Sequence, residues 1–96
     1  MSYNLPQPIE NSLKELAKQC GIEKIILFGS RARGTNRERS DIDLAIQGGN
    51  IPDFATSLDD DIPTLLMFDV VDLDKPVPDE LLAEIKKDGI VIYEKI

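Results

Sequence analysis

The sequence predicts an α/β fold, a layer of sheet with helices packed on it. Two observations carry that prediction. Segments of helical and strand-like patterning alternate along the chain, each closed by glycine or proline. No repeat, low-complexity tract or linker interrupts them, and ninety-six residues suffice for one hydrophobic core and little more, so a single domain over 1–96 is expected.

From Ile9 to Cys20 the apolar positions Ile9, Leu13, Leu16, Ala17 and Cys20 recur at helical spacing. Pro8 stands at the start of this segment and Gly21 just past its end, as in an amphipathic helix. Residues 24–28, KIILF, are rich in branched side chains and stop at Gly29, the pattern of a buried strand. Residues 42–46, IDLAI, read as a second strand closed by Gly48 and Gly49. A short helix follows from Pro52 to about Leu58, and residues 66–73, LMFDVVDL, make a third strand. Between Pro78 and Lys87, PDELLAEIKK has acids in its first turn and lysines in its last, as the helix dipole prefers. Gly89 closes this helix, and IVIYE (90–94) is a final strand.

Composition narrows the chemistry. There is no histidine and one cysteine, Cys20, which excludes an internal disulfide and any cysteine- or histidine-rich metal site. Metal chemistry must then use oxygen ligands, which favours magnesium, manganese or calcium. Cys20, on the apolar face of its helix, reads as an inert packing residue, and Tyr3 and Tyr93 as packing or surface residues. The N-terminus lacks a basic region followed by an apolar run, and no apolar segment approaches membrane-spanning length; a cytoplasmic protein without membrane association is expected. A net charge of −7 opposes direct nucleic-acid binding.

The basic residues are unevenly distributed. All four arginines (Arg31, Arg33, Arg37 and Arg39) fall within the stretch LFGSRARGTNRERSDIDLAI, and every other basic residue is lysine. Arginine presents a planar fork suited to phosphate or carboxylate, so one local anion site on an acidic body is the natural reading. Gly29-Ser30 follows a strand and precedes RARG; a glycine turn leading into a helix start exposes backbone N–H groups to phosphate. Ser30 adds a hydroxyl, and Arg31 or Arg33 is expected at the rim. Gly29 and Gly34 have the glycine spacing of a P-loop, but Thr35 stands where its lysine should be, which argues against that type of triphosphatase.

Asp41 and Asp43 stand two apart at the start of a strand, so both carboxylates point one way, while Ile42 and Leu44 face the core. Two carboxylates about 5 Å apart repel by roughly 3 kcal/mol at an effective dielectric near 20. That is a large share of the roughly 5–14 kcal/mol that stabilises a domain of this size. Such a pair raises at least one proton affinity and calls for a divalent cation. Asp69 interrupts the apolar run LMF-D-VV, where an unpaired charge is normally excluded, and joins the pair if the third strand lies beside the second. Asp72 has the opposite strand parity and takes its place only if a bulge intervenes. The run Asp59-Asp60-Asp61 reads as a solvated turn.

Gly29-Ser30, ten residues, then Asp41-x-Asp43 with a later strand aspartate resembles the signature of the DNA polymerase beta-like nucleotidyltransferase superfamily. The longer string FGSRARG…SDIDLAI looks like the minimal nucleotidyltransferases of bacteria and archaea, and the informative part runs from about Lys24 to Val71. The resemblance implies a mixed β-sheet with helices packed on it, the nucleotidyltransferase fold. It also implies transfer of a nucleoside monophosphate from a triphosphate, ATP being the expected donor, to an acceptor hydroxyl with release of pyrophosphate. Carried over by position, Gly29 and Ser30 hold the triphosphate, Arg31 and Arg33 occupy the motif's arginine positions, and Asp41, Asp43 and Asp69 serve as catalytic metal ligands. Two magnesium ions, with manganese as substitute, bring about four positive charges against about seven on three carboxylates and a triphosphate.

Larger relatives carry further domains that bind base and acceptor, whereas this chain ends within a few residues of its last strand. The family resemblance therefore implies a separate small all-helical partner of the HEPN class, in the manner of toxin–antitoxin pairs. The alternative is a non-catalytic nucleotide-binding or structural subunit of such a complex. Base preference, acceptor, oligomeric state and the individual roles of Arg31, Arg33, Arg37 and Arg39 stay open at this level.

Overall fold

The computed structural model describes residues 3–95. Helices and strands alternate: α1 (Gln7–Cys20), β1 (Lys24–Phe28), α2 (Ser30–Arg33), β2 (Ile42–Gln47), α3 (Ile51–Asp61), β3 (Phe68–Asp72), α4 (Asp79–Asp88) and β4 (Ile90–Glu94). The strands form one sheet in the order β3-β2-β1-β4, with β1 antiparallel to both β2 and β4 and β3 parallel to β2. A parallel neighbour needs a crossover, which α3 supplies. The sheet is therefore mixed, and the predicted fold class holds.

Strand alternation divides the side chains between two faces. Ile42, Leu44 and Ile46 are fully buried on one face, together with Ile25 and Leu27 of β1. They pack beneath Ile9, Leu13, Leu16 and Ala17 of α1 and Phe54 and Leu58 of α3. Each such side chain removed from water contributes roughly 1.5–3 kcal/mol. The opposite face carries a smaller cluster, in which Phe28 and Ala45 meet Ile85 of α4, with Leu81 and Val71 at its margin. Asp43 belongs to this second face by alternation, and β1 pairs it with Phe28.

The extents of α3 and β3 differ most from expectation. α3 runs to Asp61, so Asp59, Asp60 and Asp61 are solvent-exposed helical residues, not a turn. Ile51, Phe54 and Leu58 line its buried side, and Pro63 prevents a further turn. β3 is shorter than the 66–73 run because it extends only where β2 offers a partner, from Phe68 opposite Ile42 to Asp72 opposite Ile46. Asp69 is solvent-exposed on this edge strand, so the apolar run around it does not bury its charge. Tyr3, Cys20 and Tyr93 are partly buried packing residues, as expected. Among the described residues no helix is long and apolar enough to cross a membrane.

Candidate functional site

β1 ends at Phe28, and the chain turns at Gly29 with φ 76° and ψ −158°, a conformation that favours glycine. A second constraint acts at the same atom. A Cβ on Gly29 would collide with the Oδ2 of Asp43 on the neighbouring strand. Sequence and tertiary packing thus both require glycine here, because backbone and carboxylate share the space a side chain would fill. The Gly29 carbonyl accepts N–H bonds from Ala32 (3.1 Å) and Arg33 (3.2 Å), which close the short helix α2. Ser30 is its first residue and is half-buried.

The parallel register of β2 and β3 sets Asp43 directly beside Asp69. Asp72 lies opposite Ile46, on the other parity, and its carboxylate accepts the Asp74 N–H at 2.9 Å. Of the two candidate third carboxylates, the fold therefore brings Asp69 to Asp43. Asp41 lies one residue before β2 and is exposed, while Asp43 is half-buried. Burial pushes the Asp43 carboxyl up to about 6, and the charges of Asp69, Asp41 and Glu84, with a hydrogen bond to Asp69, add to the rise. The expected increase in proton affinity is present, with desolvation ahead of like-charge repulsion as its cause.

Among the described residues, no three acidic or thiol side chains stand together as a formed metal cage. The expected three-oxygen nest is looser than strand parity suggests, because Asp41 and Asp69 are both hydrated at the surface. The residues nonetheless fit a hard cation in kind. The donors are carboxylate oxygens, two of them on paired strand positions, and the glycine beside them leaves Asp43 unobstructed.

The arginines depart furthest from expectation. Arg31 is not at the rim: its guanidinium is buried and donates to the backbone carbonyls of Ser40 (3.0 Å), Glu38 (3.1 Å) and Asn4 (3.2 Å). Three carbonyls in one pocket outcompete solvent for a fork of five donors. Arg33 is exposed and pairs through Nη1 with Asp88 Oδ2 at 2.9 Å, joining α2 to the end of α4. Arg37 and Arg39 are exposed in the loop before β2.

Residues 10–96 match the family described as Polymerase beta, Nucleotidyltransferase. The chain belongs to this family. Its resemblance to the minimal nucleotidyltransferases, drawn from FGSRARG and SDIDLAI, holds at the level of sequence and of fold. A protein of Methanocaldococcus jannaschii, provisionally named a protein adenylyltransferase, is 42% identical over 41 residues, which is 43% of this chain and 48% of that relative. The match thus spans about half the length of the curated relative. A solved toxin–antitoxin complex with AMP-PNP is similar at 26% identity and a TM-score of 0.69, covering 90% of this chain and 73% of that one. The fold is also that of a chain in a complex between a tri-AMPylated HEPN toxin of Shewanella oneidensis and its MNT antitoxin (23% identity, TM-score 0.66, covering 95% and 74%).

Two features of the site escape a reading of motifs alone. Glu84 of α4 adds negative charge at Asp43, although it lies far along the chain from the aspartates. Its place follows from the helix that covers this face, where Leu81 and Ile85 pack inward and set the rotation of α4. The inward turn of Arg31 had no local signal, since its acceptors come from residues 4, 38 and 40.

Proposed function

We propose that the chain transfers a nucleoside monophosphate, with ATP as donor, to a hydroxyl-bearing side chain on a small helical protein of the HEPN class. The observation that carries this reading is the pairing of Asp43 with Asp69 beside the Gly29 turn. It joins the two halves of the motif at one end of the sheet, within a chain of the nucleotidyltransferase family. The relatives support the nucleotide and the partner: one is a complex with AMP-PNP, one contains an AMPylated HEPN toxin, and one carries a provisional protein-adenylyltransferase name.

In this reading the Gly29-Ser30 backbone and the Ser30 hydroxyl bind the triphosphate. Divalent cations, magnesium or manganese, held by Asp41, Asp43 and Asp69 would neutralise its charge and acidify the acceptor hydroxyl. Asp69, exposed on the edge strand, is the carboxylate open to an approaching hydroxyl. The hydroxyl oxygen forms a bond to the α-phosphorus, the bond to the pyrophosphate oxygen breaks, and the hydroxyl proton leaves through the carboxylates to water. Glu84 adds negative charge near Asp43 and favours cation over free-anion binding.

Co-expression with a small helical protein of the HEPN class, followed by intact mass spectrometry, tests the reading. A partner heavier by one or more nucleoside monophosphates, and unmodified with Asp43→Asn, is the expected result. A stable complex with no mass change under any nucleotide would instead assign the chain to the non-catalytic subunit class.

A further inference from the structure

We infer that Arg31 is a positioning residue of the nucleotide site, locking the loop before β2, and with it Asp41 and Asp43, against the Gly29-Ser30 turn. The inference rests on the proposed roles of those residues. Arg31 is 2% exposed and sits in α2, directly after the turn. Its guanidinium reaches two chain segments outside the helices and strands, the loop before β2 and the stretch before α1: Nε donates to the Ser40 carbonyl at 3.0 Å, Nη2 to Glu38 at 3.1 Å and Nη1 to Asn4 at 3.2 Å. Ser40 immediately precedes Asp41. The bond to its carbonyl therefore fixes the last peptide before the carboxylates, in a loop that otherwise spans residues 34–41 between α2 and β2.

Two further bonds complete the clamp. The Asn4 N–H donates to the Arg31 carbonyl at 2.9 Å, so backbone and side chain of one residue hold both backbone polar groups of Asn4. Within the loop, the Arg37 N–H donates to Ser40 Oγ at 2.8 Å. Among the described residues Arg31 forms no ion pair. Burying a cation without a carboxylate is costly, and a contact that only filled space is met at lower cost by an apolar side chain. What a guanidinium supplies here is a rigid plane with donors in several directions, which an ammonium on a flexible stem does not match. The charge it leaves uncompensated also lies beside the turn proposed for triphosphate.

The variants Arg31→Lys and Arg31→Met separate this role from direct phosphate contact. If Arg31 served by charge, lysine would preserve function. If it serves by geometry, both variants weaken Mn2+ binding to the full-length protein by roughly 10–100-fold, as loss of an outer-shell orienting group does. Titration with Mn2+ alone, followed by electron paramagnetic resonance, reads this without any turnover. Asn4→Pro removes the Asn4 donor while leaving every proposed ligand intact, and covers the case in which the Arg31 variants fail to fold. It is expected to speed amide exchange at Ser40 and weaken Mn2+ binding in the same direction. Wild-type Mn2+ affinity in folded Arg31→Lys or Arg31→Met, or in Asn4→Pro with unchanged exchange at Ser40, overturns the inference. Absence of Mn2+ binding by the wild type overturns the nucleotide-site reading itself, and this inference with it.

Discussion

Asp43 is held half-buried between its partners Phe28 on β1 and Asp69 on β3, with Gly29 against its carboxylate. Its carboxyl titrates at about 6, above the ordinary carboxylate range, so the folded state binds its proton more tightly than the unfolded chain does. The stability this confers is present below about pH 4 and is lost as the pH rises through about 6. Asp43→Asn keeps the shape and discards the charge. In chelator-treated protein it should be more stable than wild type by on the order of 1 kcal/mol at pH 7.5, after discounting for partial exposure, with the gain vanishing by about pH 3, below the unfolded carboxyl's own range. Urea melts at the two pH values check this; a difference that does not change with pH contradicts it. At Gly29 the left-handed φ and the crowding by Asp43 act together. Gly29→Val should therefore lose nucleotide affinity further than Ser30→Ala, whose single hydrogen bond is worth about 0.5–1.5 kcal/mol. Nucleotide titrations of folded variants compare them, and unchanged affinity in Gly29→Val refutes the assignment.

Elements differ in how plainly the sequence announces them. KIILF and IVIYE form strands over the residues read from their patterns, because branched runs bounded by glycine leave no competing structure. α3 is longer than its pattern suggests because three consecutive aspartates resemble a turn, while its buried residues lie on the other side of the helix. Asn50 caps its N-terminus, its side-chain oxygen accepting the Asp53 N–H at 3.3 Å. Asn50→Ala should cost about 1 kcal/mol by thermal melt. Asp60→Lys should stabilise by roughly 0.3–1 kcal/mol, since α3 carries no basic residue in its last turn and its acids oppose the helix dipole. Opposite signs for these two substitutions are the expected outcome. The Asp43–Asp69 pairing was legible from parity once the strands were assumed adjacent, but the exposure of Asp69 was not, because edge position is a property of sheet order.

At the scale of the molecule, a net charge of −7 surrounds one short segment, α2 and the loop after it, that holds all four arginines. The motif was legible because its residues are close in sequence. The distribution of the arginines between core and surface was not, since Arg31 finds its acceptors only after the chain has folded. An acidic body selects a basic docking surface, so association with the proposed helical partner should slow several-fold as ionic strength rises from about 0.05 to about 0.5 M. Stopped-flow mixing at several salt concentrations reads that dependence. The central claim, that Asp41, Asp43 and Asp69 form a metal-dependent nucleotide site, is linked to folding as well, because a ligand that binds only the native state stabilises it by mass action. Thermal melts in millimolar Mn2+ with a non-hydrolysable ATP analogue, at neutral pH and fixed ionic strength, test it most directly. Wild type should gain about 1–3 kcal/mol, roughly 4–20 °C for a domain this small, and Asp43→Asn should gain little. Equal responses from the two proteins would contradict the claim.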